Sequence, residues 1–209
     1  MRIAIGLRAH SGWAALVALG AASGETPALV DRRRIELCEP DDTDWAKAPY
    51  HAAEGLELDE AEPLVKSAIA SARKLAVREL RAAAKRARAD GHELCAFAVL
   101  VNEPMPDWSV AEVLAVHFRM HKAEGALFRD SLARAAEACG VPLVAIREKE
   151  LGELAEQALD APGEKLAKTL AALGKDAGPP WGADQKQAAL AAWVALRASP
   201  GPRARSARG

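Results

Sequence analysis

The densest chemistry in this sequence is a pair of histidines with a carboxylate one turn further on: His117, His121 and Glu124, within HFRMHKAEG. At i, i+4 and i+7 they share one face of a helix. Neutral imidazole and carboxylate oxygen suit a borderline cation such as zinc or manganese, so the three are candidate metal ligands. No Glu directly follows the first His, which separates the segment from metallopeptidase helices. The plainer reading is a polar helix face whose histidines bond to a neighbouring loop. A second group, Arg8, His10 and Ser11, ends an apolar run near the start of the chain. A His with a carboxylate nearby can serve as a general base, and His10 is a catalytic candidate on that ground, with Glu124 as its acidic neighbour. The alternative is a simple turn, with Ser11 and Gly12 chosen for backbone geometry. Tyr50-His51 follows a proline in a long aperiodic stretch, placed to close over a sheet end or to anchor a surface loop. Arg203, Arg205 and Arg208, with Arg32 to Arg34, are basic groups available to phosphates.

These groups need a scaffold, and the hydrophobic pattern supplies one. RIAIGLR (2–8) and WAALVAL (13–19), joined through His10-Ser11-Gly12, read as a β-hairpin. ALVDRRRIELC (28–38) reads as a third strand, with Arg32, Arg34 and Glu36 facing water as befits an edge. Residues 39–58 read as a loop anchored by Trp45 and Tyr50. A long helix follows, with Asp59 as its cap and apolar residues at three- and four-residue steps until Asp90-Gly91. LCAFAVLV (94–101) is continuous and apolar, as in a central strand buried on both faces. Ser109 is a good N-cap for one helix running from about Val110 to Cys139. PLVAI (142–146) is a fifth strand; weaker helices follow at 148–160 and 162–174, then a last one opened by Asp184. The order predicts a five-stranded mixed α/β sheet with helices on both faces, one domain over 1–197, and a disordered basic tail over 198–209.

Composition narrows the classes. With 28 Lys plus Arg against 29 Asp plus Glu the net charge is −1, so any nucleic-acid binding has to come from local patches and not from a global field. Cys38, Cys95 and Cys139 are far apart and odd in number, which argues against a disulfide framework or a thiolate zinc site and fits a reducing, cytoplasmic setting. The apolar stretch from Trp13 to Ala22 is too short to span a bilayer, which takes about 20 apolar residues; it reads as strand and not as a signal peptide.

Three segments in this order resemble the ribonuclease H-like superfamily, and within it the RuvC-type Holliday-junction resolvases. They are the opening RIAIGLRAHSGWAAL, the strand CAFAVLVNE followed by AEGALFRDSLARAAEACGVPLVAI, and the final ADQKQAALAAWVAL. The resemblance implies a ribonuclease H-like fold, a two-metal nuclease using magnesium or manganese, and structured DNA or RNA as partner. It also implies an Asp on the opening strand, where this chain has Arg8, whose permanent positive charge would repel the cations a carboxylate bridges. Asp184 matches the first acidic residue of the final helix, Gln187 stands where a second is expected, and Glu103 lies near the family's Glu at the end of the fourth strand.

The leading expectation is therefore a divergent RuvC-like protein that binds or cleaves structured nucleic acid through an altered or lost two-metal site. Its catalytic candidates are His10, Glu103, Glu124 and Asp184; its nucleic-acid contacts are Arg8, Ser11, Arg203 and Arg205. Two alternatives come from other classes: a noncatalytic oligomeric scaffold acting through alanine-rich helices, and a metal-dependent hydrolase of a small phosphorylated ligand using His10, His117, His121 and Glu124. A homodimer is a further expectation, and no membrane partner is expected.

Overall fold

The computed structural model describes residues 1–21, 26–39 and 44–199. Strand β1 (Arg2–His10) turns through Ser11-Gly12 into β2 (Trp13–Gly20). The two pair antiparallel from Ile3↔Gly20 to His10↔Trp13. The two-residue turn works because Gly12 takes φ +82°, a left-handed conformation that costs glycine little. Its carbonyl accepts the Leu37 and Cys38 N–H groups at 2.8 and 3.2 Å, which fixes the end of β3 (Ala28–Glu36) against the hairpin. After helices α1 (Asp44–Lys47), α2 (Pro49–Ala52) and α3 (Leu58–Ala89), β4 (Glu93–Val101) enters the sheet parallel to β1. Helices α4 (Val110–Leu114) and α5 (His117–Ala138) then lead to β5 (Leu143–Arg147), parallel to β4. A 3₁₀ turn (Glu148–Glu150) and helices α6 (Leu151–Leu159), α7 (Gly163–Ala177) and α8 (Ala183–Ala198) complete the chain. The strand order is β3-β2-β1-β4-β5. Three antiparallel strands, then two parallel ones on the far side of β1, give a mixed α/β sheet with helices on both faces, the arrangement that the ribonuclease H-like resemblance implies.

Strand alternation decides what each face meets. Ile3, Ile5, Leu7 and Ala9 of β1, with Phe97 and Val99 of β4, pack against α3 and α5 through Ala76, Leu80, Leu127, Phe128 and Leu132. Burying side chains such as Ile5 and Leu7 contributes about 1.5–3 kcal/mol each. The even-numbered residues face the other way, and there Ala4, Ala96 and Ala98 meet Ala191, Val194 and Ala195 of α8. Small residues on both sides let the helix lie unusually close. At Gly6 a Cβ would stand 1.8 Å from the Ala188 carbonyl oxygen, so α8 crosses directly over β1 at a position only glycine can occupy. The next even-numbered residues, Arg8 and His10, therefore emerge beneath the first turn of α8.

On the edge strand Arg34 and Glu36 are exposed as expected and Arg33 is exposed as well, but Arg32 folds over the α7–α8 connection and donates to the Gly178 and Pro180 carbonyls, each at 2.7 Å. Several sequence expectations are corrected. The loop over 39–58 contains α1 and α2, with Tyr50 buried; positions 40–43 of it lie outside the described residues. Asp59 is not a cap: the N-cap is Glu57, two residues earlier, and Asp59 sits in the first turn of α3, where a carboxylate interacts favourably with the helix dipole. The helix expected from Val110 to Cys139 is broken at Val116, whose backbone is extended (φ −141°, ψ 111°). The periodicity hides the break because Val113 and Met120, seven apart, enter the same apolar cluster from the two helices. Ser109 does cap, but it caps the short α4, through a reciprocal pair of bonds with Glu112. Arg119 of α5 donates to the Glu112 carbonyl at 2.8 Å. The helix expected over 148–160 begins as the 3₁₀ turn.

Candidate functional site

The carboxyl ends of β1, β4 and β5 meet the N-terminus of α8 at one rim of the sheet, and Arg8 is the centre of it. Its guanidinium is held on every side: Nη1 donates to Asp184 Oδ1 at 2.5 Å, Nη2 to Glu148 Oε1 at 2.7 Å, and Nε to the Gln187 side-chain oxygen. Nη1 also lies 2.7 Å from His10 Nε2, which is 2.9 Å from the same Asp184 oxygen. One ring nitrogen cannot accept from Arg8 and donate to Asp184 together, so the His10 tautomer selects which contact is a hydrogen bond. From α5, Arg129 Nη2 reaches the second oxygen of Glu148 at 3.0 Å while its Nη1 donates to the Gly125 carbonyl. Two guanidinium groups and two carboxylates thus neutralise one another, with the Arg8 side chain only 17% exposed. Next to them His10 stacks on Trp13 at 4.4 Å, and Arg34 covers the Trp13 ring at 4.2 Å.

The charges set the acidity. Burial pushes the Glu148 carboxyl up, but hydrogen bonds and charge from Arg129 and Arg8 outweigh it and hold it below the ordinary carboxylate range. A folded-state pKa below the unfolded one contributes stability that is present above the unfolded value and lost as pH falls through the folded one. Wild type should therefore melt above Glu148→Gln near neutral pH, with the gap in Tm narrowing as the solution is taken to about pH 3. A gap of constant size across that range would show that the ionised carboxylate contributes nothing.

Glu103 stands apart from the Arg8 cluster. It is exposed and pairs with Lys149 and, at 3.5 Å, with Arg147; the Lys149 hydrogen bond is the main reason its carboxyl lies below the ordinary range. The neighbouring Asn102 donates to the Gly125 carbonyl at 3.3 Å. Glu103, Glu148 and Gln187 nevertheless border one cleft of about 680 Å³, together with Lys122, Arg147 and Lys149. Ser11 and His10 line a smaller pocket of about 160 Å³ with Glu124 and Arg129. Trp181 donates to the Leu170 carbonyl at 2.8 Å and Trp193 packs beside α8's apolar clusters, so both are packing residues.

The histidines form a separate group. Glu124 does not point toward His117 and His121 but is used up by α2: one oxygen accepts the Tyr50 and His51 N–H groups at 3.1 and 3.0 Å, and the other lies 2.6 Å from His51 Nδ1. His117 and His121 approach each other Nε2 to Nε2 at 3.1 Å. His51 lies against both, with ring centroids 5.3 and 4.7 Å away.

Of the residues expected from sequence, Arg8, His10 and Asp184 come together, and Glu124 borders the pocket of His10. Glu103 is on the cleft rim, and Arg203 and Arg205 lie outside the described residues. Glu148 and Arg129 were missed. Glu148 directly follows β5, and the carboxyl end of a strand parallel to β1 and β4 is the signal that could have found it.

No family model and no curated protein matches the chain. Solved structures similar to it include a Thermus thermophilus RuvC (TM-score 0.48, 14% identity, 92% of each chain covered). A T. thermophilus RuvC in complex with Holliday junction substrate is also similar (TM-score 0.49, 11% identity, 93% of this chain and 92% of that one). Among the described residues no helix is long and apolar enough to cross a membrane.

Proposed function

We propose that this chain is a RuvC-like protein that binds structured nucleic acid and has lost two-metal cleavage. The observation that carries the reading is the Arg8 guanidinium, fixed between Asp184 and Glu148 where the family resemblance implies divalent cations. A bound cation that cannot be deprotonated does the electrostatic work a metal would do in holding the carboxylates together, but it cannot activate a water or stabilise a leaving oxygen as a metal does. Asp184, Glu148 and His10 are then a structural ion-pair network and not catalysts. Because Arg8 is engaged at all three nitrogens and largely buried, phosphate contacts fall instead to Lys122, Arg147 and Lys149 around the cleft and to Arg33 and Arg34, exposed cations whose ion pairs face solvent and can exchange. Magnesium or manganese is not required for binding in this reading.

The family resemblance makes a four-way DNA junction the first probe. Fluorescence anisotropy should show binding without divalent ions that weakens with salt. About four phosphate contacts would cost roughly 100-fold in affinity between about 50 and about 200 mM salt. Lys122→Ala with Lys149→Ala should lower the magnitude of the log–log salt slope by about two. No salt-dependent binding to junction, duplex or RNA hairpin would overturn the proposal.

A further inference from the structure

The His51, His117 and His121 cluster belongs to no part of the Arg8 network, and its geometry is that of a ligand set. One ring nitrogen from each of the three histidines lies within 4.8 Å of the others. The closest pair, Nε2 of His117 and Nε2 of His121, is 3.1 Å apart. A tetrahedral ion with metal–nitrogen bonds of about 2.0–2.1 Å separates its ligands by about 3.3 Å, so this pair already stands at the required edge.

The outer partners point the same way. His51 Nδ1 faces Glu124 at 2.6 Å, and His117 Nδ1 faces Glu54 at 3.8 Å. A metal-bound histidine ordinarily turns its second ring nitrogen to a carboxylate, which fixes the tautomer and raises the basicity of the ligating nitrogen. His51 has that arrangement here, which leaves its Nε2 available; Glu54 stands near His117 Nδ1 beyond hydrogen-bond reach. Glu124 is itself clamped by two backbone N–H groups and is 12% exposed, so its orientation is set by the fold.

We propose that His51, His117 and His121 bind one zinc ion, with Glu124 as the orienting acid behind His51. This differs from the ligand set expected from sequence, in which Glu124 was the third ligand. Three imidazoles with no thiolate favour zinc over magnesium, which takes oxygen donors. His117 and His121 are exposed, so the fourth position opens to solvent and holds water or an exchangeable anion. The ion also ties α2 to the first turns of α5 across 66 residues of chain.

The test uses full-length protein without a histidine tag, freed of metal by a chelator and titrated with zinc against a chromophoric competitor. One equivalent should bind, and cobalt in its place should give the intense visible absorption of a tetrahedral site. His117→Ala and His121→Ala, at exposed positions where folding can be checked by circular dichroism, should each abolish stoichiometric binding. Glu124→Gln should weaken it by about 10–100-fold, the usual cost of losing an outer partner. Absence of stoichiometric zinc, or zinc binding that survives both histidine substitutions, would overturn the proposal.

Discussion

Arg8→Asp should destabilise the protein by about 3–5 kcal/mol in metal-free solution, as breaking a buried ion pair does, and magnesium should return much of that loss. The reason is local. Removing the guanidinium strips Asp184 and Glu148 of their shared partner, and the new carboxylate adds a third negative group to a rim where the existing ones are only 26–28% exposed. At roughly 2–4 °C per kcal/mol for a chain of this size the Tm should fall by about 10 °C. The same change recreates a cluster of oxygen ligands, the kind of site magnesium prefers. At about 100-fold above its Kd the ion would restore about 2.7 kcal/mol, while wild type should show no such gain. Arg8→Gln, which removes the charge without adding a ligand, should be destabilised yet gain little from magnesium. Thermal melts of the three proteins with and without the ion decide it. An Arg8→Asp protein that melts like wild type would mean that the ion pairs are not holding the rim.

Gly6→Ala should be comparably damaging although it adds only a methyl group. In a strand, alanine is intrinsically better than glycine by about 0.5–1 kcal/mol, so propensity alone predicts a gain. Packing opposes it, because the added Cβ would sit 1.8 Å from the Ala188 carbonyl oxygen and 2.8 Å from the Ala192 nitrogen. These are backbone atoms with no rotamer to change, so α8 as a whole has to move. Overpacking typically costs 1–3 kcal/mol and occasionally more; with backbone as the obstacle, a net loss of about 3 kcal/mol is expected. Since α8 also presents Asp184 and Gln187 to Arg8, the shift should loosen the ion-pair network. Gly152→Ala on α6, where a Cβ meets nothing within 4 Å, is the control and should be neutral or slightly stabilising. Chemical denaturation reads both; equal stability of Gly6→Ala and wild type would contradict the close crossing.

Much of the fold was legible because period-two and period-3.6 patterns report which face is buried. RIAIGLR, WAALVAL and LCAFAVLV announce strands by composition, and the crossover order places β4 beside β1. What the pattern hides is a break that conserves the buried face, as at Val116, where Val113 and Met120 reach one cluster from two separate helices. Arg8 was legible as a misfit within a family resemblance, and Asp184 and His10 as candidates beside it, but the rest of the network was not. Glu148 and Arg129 are ordinary charged residues in sequence, and only the sheet order brings them within reach of β1, 140 and 121 positions away. His51 was noticed as a loop residue. Nothing local ties it to His117, because the link is Glu124's grip on the backbone of α2, a tertiary contact with no periodic signature.

The central claim, that a fixed guanidinium has replaced divalent cations at the rim, is tested most directly by cleavage. With protein in excess over a labelled four-way junction, and either magnesium or manganese at millimolar concentration, wild type should bind the junction and leave its strands intact over hours. Metal-dependent incision by wild type that disappears in Asp184→Asn would contradict the account.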